Sequence, residues 1–157
     1  MSDMAEELAA LRRRLEALED EKAVQALLTR YGLAADAEGS DRLAALYTED
    51  CFVDIDQKIV MNGRAEVRAL SDQPSYDNIC AHLMGPFEIT LNGDRATAVG
   101  YATFYMTVGE DVRIWRQSCS QWELAREGGA WRILRRVSRG VGQPAARALF
   151  SAALDAQ

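Results

Sequence analysis

The chain has 157 residues, 48% of them hydrophobic and 27% charged, with a formal net charge of −6. That is enough chain for one domain with a substantial core and too little for two ordinary ones. The acidic balance argues against a nucleic-acid partner, because affinity for a phosphate backbone rests on Lys and Arg.

Residues 4–35 read as one long helix or two consecutive ones. Leu8, Leu11, Leu15 and Leu18 recur at alternating steps of three and four, the seam spacing of a short coiled coil. The alternative is a helical arm that packs on its own domain or on a neighbouring subunit. After Glu19-Asp20-Glu21 the apolar stripe resumes at Val24, Leu27, Leu28 and Tyr31, and Gly32 follows. A shorter helix begins near Asp41, capped by Ser40 or Asp41, with Leu43, Leu46 and Tyr47 as its apolar residues.

The period then changes. Cys51 to Ile55 alternates like a strand, and Lys58 to Met61 is its expected partner. Asn62-Gly63 breaks the chain, Arg64 to Leu70 reads as a third helix, and Pro74 to Asn78 as a polar loop. Ala81 to Leu91 runs into Asn92-Gly93, a two-residue hairpin signal. Strands over Ala96–Val108, Val112–Ala125 and Trp131–Ser138 follow, separated by turns at Gly109-Glu110-Asp111 and Glu127-Gly128-Gly129. Gly85, Pro86 and Gly100 interrupt strand patterns and predict bulges or bends. Pro144 precedes a weak terminal helix from Ala145 to Leu154. Helices first and a long antiparallel meander after them define an α+β domain whose curved sheet wraps around the N-terminal helices. The expected organisation is a helical arm over 1–20, a cone domain over 21–140 and a tail or helix over 141–157.

Cys51, Cys80 and Cys119 are odd in number and have no CxxC spacing, which fits buried thiols in a reducing compartment. Cys80, two residues before His82, shares a strand face with it, and a catalytic thiol is the alternative there. The clusters Arg12-Arg13-Arg14 and Arg135-Arg136 read as solvated faces. The first residues are acidic and helical, and no run reaches the ~20 apolar residues of a membrane span. The expectation is a cytoplasmic protein without a membrane or nucleic-acid partner.

Four stretches carry a family resemblance. They are LEDEKAVQALLTRYGLAADAEGSDRLAALYTEDCFVDI, GRAEVRAL, AHLMGPFEITLNGDRATAVGYATFYM and QWELAREGGAWRILRR. Together they resemble a SnoaL-like member of the nuclear-transport-factor-like superfamily, the α+β cone, across about residues 18–139. Its relatives include scytalone dehydratase, hexachlorocyclohexane dehydrochlorinase, ketosteroid isomerase and polyketide cyclases. The resemblance to the dehydratase and dehydrochlorinase branch implies a catalytic Asp at the end of the first helix, matched by Asp36. It also implies a catalytic His opening the first strand of the main sheet, matched by His82, the only histidine. Both side chains would point into the mouth of the cone. The chain departs from scytalone dehydratase in lacking a second active-site His and in carrying Ala35 where a Tyr adjoins the catalytic Asp.

The chemistry of the pair agrees with the resemblance. A carboxylate that accepts Nδ1–H fixes the imidazole tautomer, raises its basicity and leaves Nε2 to move a proton. An upward pKa shift of His82 is therefore expected if Asp36 is ionised beside it. Such a dyad needs no metal or cofactor when the substrate has an acidified C–H. Tyr31, five residues before Asp36, is a candidate hydroxyl donor to a substrate carbonyl, with a core aromatic as the other reading. Arg136 matches a position where some relatives carry a substrate-contacting Arg, although a solvated Arg beside Arg135 is the competing reading. Arg116 and Trp122 share one strand parity with Ser118 and Ser120; Arg113, Trp115, Gln117 and Cys119 share the other. Alternation leaves open which face lines a pocket. Asp54 and Asp56 fall on one strand face, either as an alternative acidic site or as surface residues.

These readings combine into a cofactor-independent lyase, a dehydratase acting on an apolar polyketide, steroid or aromatic molecule. The alternatives are an isomerase or cyclase, or a non-catalytic cone of the ligand-binding or dioxygenase small-subunit kind. The resemblance implies a homodimer, with a trimer as the other arrangement.

Overall fold

A computed structural model of the protein describes residues 2–37, 39–73 and 79–155. The Pro74–Asn78 loop and the side chain of Cys80 lie outside the described residues. Helices α1 (Ser2–Asp36) and α2 (Ser40–Ala44) precede the hairpin β1 (Tyr47–Ile55) and β2 (Ile59–Asn62), and α3 (Arg64–Ser71) follows it. The meander β3 (Ile79–Asn92), β4 (Arg95–Val108), β5 (Asp111–Glu127) and β6 (Ala130–Gly140) follows, and α4 (Pro144–Asp155) ends the chain. The predicted α+β architecture is the one found. Among the described residues, no helix is long and apolar enough to cross a membrane.

All six strands form one sheet in the order β2-β1-β6-β5-β4-β3. The meander is antiparallel throughout, but β1 joins its far edge parallel to β6. The sheet curves around α1, and its inner face buries Ala98, Trp122, Leu124 and Ile133 against Val24, Leu27, Leu28 and Tyr31 of the helix. On the outer face α4 covers Val99 and Cys119 with Ala146, Leu149 and Phe150. Burial pushes the thiols of Cys51 and Cys119 up to about 11, so both stay protonated at neutral pH.

Several local expectations move. The 4–35 helix is a single uninterrupted α1. The second helix stops at Ala44 with Gly39 at its N-cap and no side-chain cap, so neither Ser40 nor Asp41 caps it. Tyr47 is the first residue of β1, its side chain buried in the core. The hairpin loop after β3 is Gly93-Asp94, one residue later than Asn92-Gly93, because Asn92 pairs with Arg95. Gly93 takes the left-handed φ of 57° at the first loop position, where a type II′ turn needs glycine.

The bends are bulges that change which side chains face inward. In β3 the register slips between Met84 and Phe87, across Gly85-Pro86, so the inner set passes from His82 and Met84 to Phe87 and Ile89. Gly100 on β4 admits this fold-over, since a Cβ there would lie 2.2 Å from the Pro86 carbonyl oxygen. In β5 the slip falls at Trp115, between Ile114 and Arg116. In β6 it falls at Leu134, between Ile133 and Arg135. A bulge inserts one residue and reverses the alternation beyond it. Gly100→Ala is therefore expected to destabilise the protein by roughly 1–3 kcal/mol, the usual cost of overpacking. Urea unfolding checks this; unchanged stability would mean that Pro86 can move aside freely.

Candidate active site

The last residue of α1 reaches the first strand of the meander. One oxygen of the Asp36 carboxylate accepts the backbone N–H of His82 at 2.9 Å, and the other meets the His82 Nδ1 at 2.6 Å. Gly32, one turn earlier on α1, makes this approach possible. A Cβ at Gly32 would sit 2.6 Å from the His82 carbonyl oxygen, so only a glycine lets helix and strand backbones come this close. The ionised carboxylate holds Nδ1–H as a donor and leaves Nε2 without a hydrogen bond among the described residues.

The pair opens onto a cavity of about 870 Å³, lined by both residues with Tyr31, Phe104, Trp115, Arg116 and Arg136 and walled by Leu43, Val53, Met61 and Val67. That volume is within the ~300–1,000 Å³ of small-molecule pockets. Its walls pack around the imidazole, whose ring lies edge-on to Tyr31 at 6.4 Å and to Phe104 at 4.6 Å between centroids. Burial lowers the His82 pKa; hydrogen bonding and the charge of Asp36 raise it, and the positive charge of Arg136 lowers it again. The net result is below the ordinary value of 6.5. The expected upward shift is thus corrected: loss of water around the imidazolium outweighs the carboxylate.

Arg136 is buried, with 2% exposure, which corrects its reading as a solvated surface residue. Strict alternation from Trp131 and Ile133 would turn Arg135 inward; the Leu134 bulge turns Arg135 out and Arg136 in. Its Nη1 donates to the Tyr31 hydroxyl oxygen at 2.5 Å, while Nε and Nη2 are buried without a partner. The guanidinium lies 4.5 Å from the Trp122 ring centroid and 5.0 Å from that of Tyr31. No carboxylate lies within salt-bridge distance of it among the described residues. Because the Tyr31 oxygen already accepts from Arg136, its own O–H is free to donate to another group.

The remaining candidates divide. Arg116 lines the cavity, bound to Asp56 at 2.8 Å and to the Ser138 hydroxyl at 3.1 Å. Trp122 is fully buried behind Tyr31 and Arg136 and does not line the cavity, which corrects its placement as a contact residue. Asp54 and Asp56 are not surface residues: Arg139 holds the first at 2.5 Å, and Arg116 with the Gly140 N–H holds the second. The Arg139 hydrogen bond lowers the Asp54 pKa. Burial raises the Asp56 carboxyl, but Arg116 and the Gly140 N–H outweigh it and hold it below the usual range. Both carboxylates are thus committed to cations. Phe104 and Trp115, absent from the sequence-based set, also line the site. The Trp115 bulge explains why neither parity of β5 reads cleanly, as does α4 covering Cys119 on the outside. Among the described residues, no group of three or more His, Cys, Asp or Glu could hold a metal ion.

The curved sheet wrapped around α1 defines the class of fold, and sequence comparison gives its family. Residues 16–137 match the SnoaL-like domain, and the chain belongs to that family. An uncharacterised protein of Mycobacterium tuberculosis is 28% identical over 132 residues, spanning 76% of this chain and 84% of its own. An NTF2-like protein with a cystatin-like fold from Novosphingobium aromaticivorans superposes with a TM-score of 0.86 at 33% identity, covering 90% of this chain and 96% of that one. A scytalone dehydratase-like protein from the same organism gives 0.71 at 18% identity, covering 80% and 86%. That last likeness bears on the fold alone.

Two outcomes follow for the site. With one histidine, its imidazole signal in an NMR titration is unambiguous, and its midpoint is expected below 6.5. Asp36→Asn should lower it further, since the negative charge is lost and the remaining amide oxygen is a weaker acceptor; a midpoint above 6.5 in the parent would contradict the burial argument. Gly32→Ala separates close contact from helix propensity. Propensity alone predicts a gain of ~0.5–1 kcal/mol, whereas the 2.6 Å approach to His82 predicts a loss of roughly 1–3 kcal/mol.

Proposed function

We propose that this chain is a cofactor-independent lyase of the dehydratase kind, acting on a largely apolar small molecule that bears a carbonyl group. One observation carries the reading: an imidazole held by a carboxylate faces a cavity that also contains a buried, uncompensated guanidinium with a tyrosine hydroxyl in front of it.

The His82 Nε2 removes a proton from the carbon next to the carbonyl, and Asp36 stabilises the imidazolium that forms. The electron pair of the broken C–H bond moves toward the carbonyl oxygen, where the Tyr31 O–H donates to it. Arg136 donates to the same tyrosine oxygen and makes that hydroxyl a better donor as negative charge develops. The electrons then return to form the carbon–carbon double bond as the C–O bond to the β-hydroxyl breaks. The imidazolium gives its proton to the departing oxygen, which leaves as water. Proton removal and return by one group confine the elimination to one face. Arg116 and the apolar walls hold the body of the substrate.

A second reading rests on the commitment of Asp54 and Asp56 to arginines. With a single free base, a same-face proton shift or an aldol-type ring closure needs nothing more than the dehydration does. Isomerase and cyclase chemistry are therefore the alternatives.

The test uses β-hydroxy aryl ketones of increasing ring number in deuterated water. It follows conjugated-enone absorbance and deuterium at the α carbon. His82→Ala should lose both signals, and Asp36→Asn should lose ~10²–10⁴-fold, the usual worth of general acid–base catalysis. The double variant should be little worse than either single one. Tyr31→Phe should lose ~10²–10³-fold in kcat, as for removal of one oxyanion donor. Deuterium exchange without enone formation would favour the isomerase reading. Full turnover by His82→Ala would remove the dyad from the chemistry.

A further inference from the structure

The start of α1 carries apolar side chains that nothing in their own chain covers. Met4, Leu8, Leu11, Leu15 and Leu18 are all more than half exposed, between 52% and 69%. They follow one another at steps of four, three, four and three, the a and d positions of a heptad repeat. At 3.6 residues per turn this stripe runs along the side of α1 opposite the one that packs on the cone. That other side carries Asp20, Val24, Leu27 and Tyr31. Asp20 marks where the helix meets the sheet, accepting from Arg126 at 2.6 Å and from the Trp131 indole at 3.3 Å. Every residue from Asp3 to Glu19 is exposed except Ala9 and Ala10, which are partly so. The leucine face is therefore open to a second helix along its length.

Charge decides which helix fits. With Leu8 and Leu15 at a, the flanking g positions are Glu7 and Arg14, and the e positions are Arg12 and Glu19. In a parallel pair each g residue faces the e residue five places later in the other chain. Glu7 then meets Arg12 of the second copy, and Arg14 meets Glu19, so all four symmetric pairs are attractive. In the antiparallel register that aligns the same leucines, Arg12 faces Arg12, Arg14 faces Arg14 and Glu7 faces Glu21. Every one of those pairs repels. The seam ends at Lys22 and Gln25, the next a and d positions, where the helix has joined the cone.

We infer that the N-terminal arm of α1 forms a parallel two-stranded coiled coil with a second copy of this chain. This contact lies apart from the cavity and from the outer face of the sheet, and it does not rest on the proposed chemistry.

Sedimentation equilibrium on the full chain at micromolar concentration tests it. Leu11→Glu with Leu15→Glu should halve the particle mass, whether the parent is a dimer or a larger assembly that also uses the sheet face. Equal masses for parent and variant would overturn the inference. Charge variants read the orientation and leave the leucines in place. Glu7→Arg should weaken association by roughly tenfold at low salt, since two symmetric pairs become repulsive. Adding Arg12→Glu should restore it. Glu7→Arg that tightens association would indicate the antiparallel pairing, and an unchanged constant would indicate no pairing at all; either overturns the proposal. The near-ultraviolet signal of the buried Trp122 and Trp131 verifies that each variant keeps its cone.

Discussion

The carboxylate of Asp36 ties the end of a 35-residue helix to the meander at two points, the His82 amide and the His82 ring. Much else follows from that clamp. It sets where α1 crosses β3, it demands a glycine at position 32 to let the backbones approach, and it orients the only imidazole in the chain. A carboxylate that accepts a backbone N–H and a ring N–H together fixes both the position of the strand and the rotamer of the side chain. The imidazole therefore meets the cavity in one tautomer and one direction.

Arg136 raises a second physical problem. Burying an unpaired guanidinium is expensive, because the surrounding protein does not replace the water it loses. The rings of Tyr31 and Trp122 offset part of that cost through their electron-rich faces, and the Tyr31 oxygen accepts one of the five N–H groups. Two nitrogens are left unsatisfied. Burial is the main force against protonation of His82, and the positive charge of Arg136 adds to it.

Around this centre the sheet is shaped by bulges, and those at Trp115 and Leu134 decide which side chains reach the cavity. Gly85-Pro86 bends β3 beyond His82, the Trp115 bulge brings an aromatic ring to the lining, and the Leu134 bulge turns Arg136 inward. The polar ladder of Asp54, Asp56, Arg116, Arg139 and Ser138 then ties the β1–β2 turn to β5 and β6. Asp56 and Gln57 both sit at positive φ in that turn. The Asp56 carboxylate helps hold it there by binding the Gly140 N–H and Arg116.

How much of this was legible in the chain depends on the range of the signal. Helix and strand periods are local, and the elements predicted from them appear in the order expected, including the Gly85-Pro86 bend; Gly100 keeps its register in β4 and instead leaves room for Pro86. Asp36 and His82 could be picked out together only because their placement resembles a known family; 46 residues separate them, and no local rule relates them. Arg136, next to Arg135, reads as one of a solvated pair, and strict alternation along β6 would not have turned it inward either. A single inserted residue at Leu134 reverses the parity of everything after it, and leucine carries no bulge signal of the kind glycine does. Asp54 and Asp56 looked like surface residues because their arginine partners lie on strands that the chain reaches some 60 to 85 residues later. The direction of the His82 shift was likewise out of reach, since burial and a distant cation decide it against the neighbouring carboxylate. Composition, period and turn chemistry thus determined the elements and their order. Only the tertiary structure decided which side chains meet, because bulges, the parallel β1–β6 pairing and desolvation act across contacts that no stretch of sequence contains.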